Sequence, residues 1–182
     1  MNFFKKPVVA VLLAVILCSG ILMMNTQSKL GEEIDAVEEA FFTNVDGQRS
    51  IYSRLQEKLQ ASNGVWTIVS AYDEDAATEL ADERDYLIWA CNEPSINSMY
   101  YANDSLNEAF NDAVSALDDI ELSTEQQEDL ASYVEAFNGA QKMIDENSYN
   151  SQVLEFMRTT YNKFPTRELA EFAGVYPPDT FS

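Results

Sequence analysis

Histidine is absent from the 182 residues. Its absence excludes every mechanism built on an imidazole base, Ser-His-Asp and Cys-His arrangements included, and every His-liganded metal site. Cysteine is nearly absent, with only Cys18 and Cys91. Cys18 sits inside an apolar run, so the domain behind it has no internal disulfide. Glycine (6) and proline (5) are too few for a loop-rich sandwich, a collagen or a low-complexity chain. Basic side chains are scarce, 11 Lys and Arg against 31 Asp and Glu, for a net charge of −20. A surface of that sign does not displace counterions from phosphates, which argues against nucleic acid as a partner. It also gives no electrostatic hold on anionic lipid headgroups.

What is present begins with an apolar N-terminus. Lys5-Lys6 precede Pro7–Met24, 18 residues without a charge, about the minimum that crosses a hydrocarbon core as a helix. A cleaved signal usually has a shorter apolar region and a small-x-small site. Cys18-Ser19-Gly20 is a poor version of that site, and Ile21–Met24 continue the run. An uncleaved signal anchor is therefore favoured, with the lipid bilayer as partner of residues 7–24. A bacterial lipoprotein acylated at Cys18 would normally carry a small residue at position 17, where this chain has Leu17. Two lysines before the run and one after it, Lys29, place the N-terminus in the cytoplasm and the domain outside a cell membrane crossed once.

The remainder predicts helices. Residues 28–62 carry Leu30, Ile34, Val37, Phe41, Val45, Tyr52, Leu55 and Leu59 at spacings of 4, 3, 4, 4, 7, 3 and 4, one stripe at the helical period. Ser62-Asn63-Gly64 reads as its stop. Residues 65–91 repeat the pattern through Val65, Ile68, Val69, Tyr72, Ala76, Leu80 and Leu87, and Pro94 interrupts it. Ile96, Met99, Tyr100, Leu106, Phe110, Val114 and Leu117 mark a third helix. Ser123 with Gln126, or Thr124 with Gln127, offers a capping box for the last and longest one. Its inner face is Leu130, Tyr133, Phe137, Ile144, Val153, Phe156 and Phe164, loosened at Asp145–Asn150 and stopped by Pro165. Thr166–Ala173 is a short helix closed by Gly174, and a tail follows. No segment alternates with period two. The expected fold is all-α: an antiparallel four-helix up-and-down bundle over 25–165, an anchor over 1–24, and a short terminal helix and strap over 166–182.

The chain closes on Tyr149-Asn150, Val153, Tyr161-Asn162-Lys163-Phe164-Pro165, Leu169-Ala170, Phe172, Val175-Tyr176-Pro177-Pro178 and Phe181. This resembles the closing signature of the LemA family, in which paired Tyr-Asn elements and a Phe-Pro stop end the last long helix. The front is similar as well: a span leads into Leu30-Gly31-Glu32-Glu33-Ile34-Asp35-Ala36-Val37, and Gln48-Arg49 lies near that family's basic pair. Ser50-Ile51-Tyr52-Ser53-Arg54-Leu55 departs from the run usual after that pair, and Asp119-Ile120 from its Tyr-Pro. The resemblance implies a membrane-anchored helical bundle, with Tyr149, Asn150, Tyr161, Asn162, Phe164 and Pro165 as structural motif residues. It brings no general biochemical activity.

Candidate sites are few. Asp73-Glu74-Asp75, Glu79, Asp82-Glu83 and Asp85 lack the glycine turn and ligand order of an EF-hand, and on a helix they spread over a solvated face. No metal site and no cofactor are expected. Among 31 acidic residues a glycosidase-like pair carries no signal, and no Ser-x-x-Lys signature supports a histidine-free dyad. Cys91 reads as a small buried hydrophobe. Tyr86, Trp89, Tyr100, Tyr101, Tyr149, Tyr161 and Phe164 read as core packing before a ligand groove. The sequon at Asn103 carries no weight. Tyr176 and Phe181, apolar residues on a terminal strap, either pack back or meet a partner. The expected function is a non-enzymatic scaffold or adaptor of the bacterial cell envelope, with envelope proteins as partners. The alternative is a sensor binding a small ligand or divalent cation between helices.

Overall fold

The computed structural model describes residues 7–44, 49–93 and 95–182, and of their side chains those from residue 20 onward except 21, 22 and 26. Lys5, Lys6, Val45, Gln48, Pro94 and the side chain of Cys18 lie outside the described residues. The elements are α1 (Pro7–Phe42), α2 (Ile51–Val69), α3 (Glu74–Asn92), α4 (Ile96–Ser115), α5 (Thr124–Asp145), α6 (Tyr149–Phe156), a π-helical turn (Met157–Tyr161) and α7 (Thr166–Ala173). All elements among the described residues are helical, as expected.

Several boundaries differ from the expected ones, each for a local reason. The stripe predicted as one helix over 28–62 is broken between α1 and α2. Ser50 caps α2, accepting from the Ser53 N–H at 3.1 Å, and its hydroxyl donates to the Phe42 carbonyl at 3.1 Å. Such a cap satisfies one of the donors that every helix start leaves open. Ser62-Asn63-Gly64 does not stop α2. The Ser62 hydroxyl folds back on the Leu59 carbonyl at 3.0 Å, and a Cβ at Gly64 would lie 2.5 Å from the Tyr133 ring. Gly64 is present for that close approach, and the helix runs on to Val69. The break falls instead at Asp73, whose carboxylate accepts from the Ala76 N–H at 2.9 Å and caps α3. Glu74 and Asp75 then occupy the first turn, where the helix dipole favours anions.

The capping box at Ser123 and Gln126 forms, with 3.2 Å and 3.0 Å bonds in its two directions. The long last helix does not. Asn147 accepts from the Tyr149 N–H at 2.9 Å and starts a separate helix, so Asp145–Asn150 is a break rather than a loosening. Phe164, expected on an inner face, is 84% exposed. α7 matches the expected span and ends at Gly174 in the left-handed region, φ 69°, which suits glycine.

The chain divides into two compact units, one of residues 1–38 with 151–178, the other of residues 39–150 with 179–182. In the first, Leu30, Ile34, Phe156, Tyr161 and Ala170 form a small core, with Val37 and Val175 packed against it. In the second, α2 packs against α5, α3 and α4, and α3 against α4. Buried Leu55, Val65, Leu80, Leu87, Met99, Leu106 and Phe110 fill it.

The expected membrane anchor and single-pass cell-membrane location are corrected. Among the described residues no helix is long and apolar enough to cross a membrane. Of the expected span, residues 7–24, the described side chains are those at 20, 23 and 24, and α1 continues beyond it through Asn25, Lys29, Glu32, Glu33 and Asp35, which are too polar to extend an apolar span.

Candidate functional site

The second unit carries polar groups in its core. Along α2 the inward seam is Ile51, Leu55, Lys58, Ser62, Val65 and Val69, all buried, and along α4 it is Ile96, Met99, Asn103, Leu106, Phe110 and Ala113. Lys58 and Asn103 occupy positions where the helical period calls for Leu or Ile. Lys58 is 0% exposed and Asn103 3%. A buried ammonium costs several kcal/mol of hydration unless each N–H finds an acceptor. Lys58 finds three. Its Nζ donates to Asn103 Oδ1 at 2.5 Å, to Gln141 Oε1 at 2.6 Å and to Asn107 Oδ1, and lies 4.4 Å from the Phe137 ring centroid. Phe110 stacks on Phe137 with centroids 3.6 Å apart. The network closes with Asn103 Nδ2 donating to Gln141 Oε1 at 3.3 Å and Gln141 Nε2 to Asp145 Oδ1 at 2.8 Å. Burial pulls the Lys58 ammonium down to about 7, against the opposing pull of the Asp145 and Asp104 carboxylates.

A cavity of about 380 Å³ adjoins this network, toward the small end of the range for small-molecule pockets. Asn103, Asn107 and Gln141 link it to Lys58. Asp104, Asp145, Asn147 and Asn150 line its polar sides, and Ile51, Tyr100, Ile144 and Phe181 its apolar side. Phe181 is held there by a clasp. The Asn150 amide donates to the Phe181 carbonyl and accepts from its N–H, both at 2.8 Å. Tyr149 donates through its hydroxyl to the Asp179 carbonyl at 2.7 Å. The Phe181 ring meets Tyr100 edge-on at 5.4 Å and Phe41 at 5.5 Å. A larger trough of about 770 Å³ lies along α2 and α5. It is open, and Arg54 and Glu57 on its wall pair with each other at 2.7 Å, so the smaller cavity holds the more convergent polar groups.

Of the residues singled out from sequence, Tyr100, Asn150 and Phe181 line this cavity, and Tyr149 pins the adjacent backbone at Asp179. Phe181 is buried and Tyr176 is 75% exposed. Tyr161 belongs to the first unit, where its hydroxyl donates to the Val175 carbonyl at 3.0 Å. The Asn162 N–H bonds the Met157 carbonyl at 2.9 Å, and Pro165 precedes α7. The aromatics divide. Tyr149 and Tyr161 are buried, whereas Tyr86, Trp89, Tyr101 and Phe164 are exposed, which corrects their assignment to the core. Cys91 is half-buried, and burial pushes its thiol up to about 11, a poor nucleophile. Asp73 is occupied as a cap, and among the described residues no group of three or more Asp, Glu or Cys is placed to hold a metal ion.

Lys58, Asn107 and Gln141 were not among the sequence candidates, and Asn103 entered only as a discounted sequon. The signal for Lys58 was available: Ile51, Leu55, Lys58, Ser62, Val65 and Val69 follow a 4-3-4-3-4 spacing, so a charged residue lies on the seam. No family model, curated protein or solved structure matches the chain.

Proposed function

We propose that the second unit is a small-molecule binding module whose site is the amide-lined cavity beside Lys58. One observation carries this: the helical core retains a cavity lined by carboxamides and carboxylates, backed by a fully buried, fully hydrogen-bonded lysine. Apolar residues of similar volume would give an equal or more stable core, so stability does not account for the arrangement. Groups fixed in advance by such a network lose little entropy when a ligand arrives. The test is a thermal-melt screen of small polar molecules against the full chain. Ligands of the cavity raise the melting temperature in a concentration-dependent way, and the rise is lost in Asn107→Leu, with circular dichroism to confirm that this variant folds. A screen without such ligands refutes the proposal.

A protein-adaptor role is the second reading. Its support is α3, which carries Glu74, Asp75, Glu79, Asp82, Glu83 and Asp85 against a single Arg84. On the same helix Tyr86 and Trp89 stack at 5.8 Å with Trp89 51% exposed. Exposed aromatics are enriched at binding hot spots. Crosslinked partners that survive Trp89→Ala unchanged would remove it. The LemA kinship remains a proposal, supported by the Tyr-Asn and Phe-Pro pattern of residues 149–165.

A further inference from the structure

Resting on the cavity as a binding site, we infer that its ligand carries a primary alkylammonium group, received by the carboxylates of Asp104 and Asp145 with the alkyl chain against Tyr100 and Phe181. Both carboxylates line the cavity, and neither belongs to an ion pair among the described residues. Asp145 accepts one bond, from Gln141. The nearby cation does not neutralise them by contact, because all three Lys58 N–H groups are spent on Asn103, Asn107 and Gln141. The cavity therefore offers two exposed carboxylates that face Lys58 only through space and have no direct ion-pair partner among the described residues, inside a chain of net charge −20 that draws cations toward it.

Other chemistries fit less well. An anion meets two carboxylates and finds no free N–H on Lys58. A bare divalent cation needs six or more oxygens, and no group of three or more metal-binding side chains is present among the described residues. A neutral polyol gains no charge-charge attraction from the two carboxylates. A primary ammonium has three N–H donors to offer carboxylates, and charge-assisted bonds of this kind are stronger than neutral ones. Tyr100 and Phe181, edge-on at 5.4 Å, together with Ile144, supply the apolar wall an alkyl chain needs.

The test is calorimetry and amide NMR titration of the full chain with n-butylammonium, and with n-butanol and butyrate as neutral and anionic matches of the same length. The expected result is binding by butylammonium only, shifting Asn107 and Asn147 side-chain amides. Asp104→Asn and Asp145→Asn should each weaken it by about tenfold or more, the loss of one charge-assisted bond. A lysine amide blocked at its α-nitrogen separates the sources. Tighter binding than butylammonium points to a protein's lysine side chain, and weaker binding to a free amine; both support the ammonium class. Butanol or butyrate binding as tightly as butylammonium overturns that class and leaves the cavity as a site. No binding by butylammonium, while the melt screen finds other cavity ligands, also overturns the class alone. Silence in both overturns both.

Discussion

The dipeptide Tyr-Asn occurs at 149–150 and at 161–162, once in each compact unit, and the two copies share half of their chemistry. Both tyrosines bury their rings and donate a hydroxyl proton to a backbone carbonyl of the C-terminal segment, Tyr149 to Asp179 and Tyr161 to Val175. The asparagines diverge. Asn150 reads the backbone of Phe181 with both ends of its amide. Asn162 contributes its main-chain N–H to the end of the π-helical turn, and its side chain is exposed. Tyrosine in this pair acts as a pin in either setting. The asparagine's role is set by whether a non-helical segment of chain lies within reach of its amide.

The comparison is most open to attack at Tyr149. It is fully buried, against Phe41 at 5.3 Å, and Tyr149→Ala should cost about 3–5 kcal/mol in denaturant unfolding. An equal cost for Tyr161→Ala, in the smaller core, would erase the difference between the units. Next is Asn150→Ala, which leaves the Phe181 N–H and carbonyl without their partner. A loss of about 1–3 kcal/mol is expected, with faster hydrogen exchange at the Phe181 amide.

Lys58 separates the units by pH. Its ammonium sits near 7 in the folded chain and near 10.4 when unfolded. Between those values the unfolded chain holds the extra proton, so stability of the second unit rises with pH from about 7 toward 10. Lys58→Met should flatten that rise in urea midpoints measured across the window. The core of Leu30, Ile34, Phe156, Tyr161 and Ala170 holds no amine, and exchange protection there should not follow it. Smaller again, Tyr149→Phe and Tyr161→Phe each remove one hydroxyl bond worth about 1 kcal/mol, detectable as a matched pair of midpoint shifts. Asn162→Ala should change stability by no more than about 0.5 kcal/mol; a larger loss would give its side chain a role the structure lacks.

Much of the fold was legible in the sequence. The all-helical class, the span of α7, the capping box at Ser123 and the closure at Gly174 follow from period, caps and stops that act within a few residues. The errors occur where a distant contact decides. Gly64 resembles a helix terminator until Tyr133, from another helix, needs the space. Asp73 looked like one member of an acidic run, yet its carboxylate is spent on a cap. The break at Ser50 erased a stripe that stepped seven positions from Val45 to Tyr52. The site was less legible. Tyr149, Asn150 and Phe181 drew notice, while Lys58 passed as a polar position between stripe residues. Its acceptors, Asn103, Asn107 and Gln141, come from two other helices, and no local pattern shows that they converge.

The sealed position of Lys58 also makes it a built-in clock. Acylating reagents attack free amines, and Lys29, Lys142 and Lys163 are exposed to them. Lys58 is presented only when α2 separates from α4 and α5. Under mild acylation followed by mass spectrometry, the outer lysines should modify at once and Lys58 at the rate at which the helices part, so one labelling time course records how often this core opens.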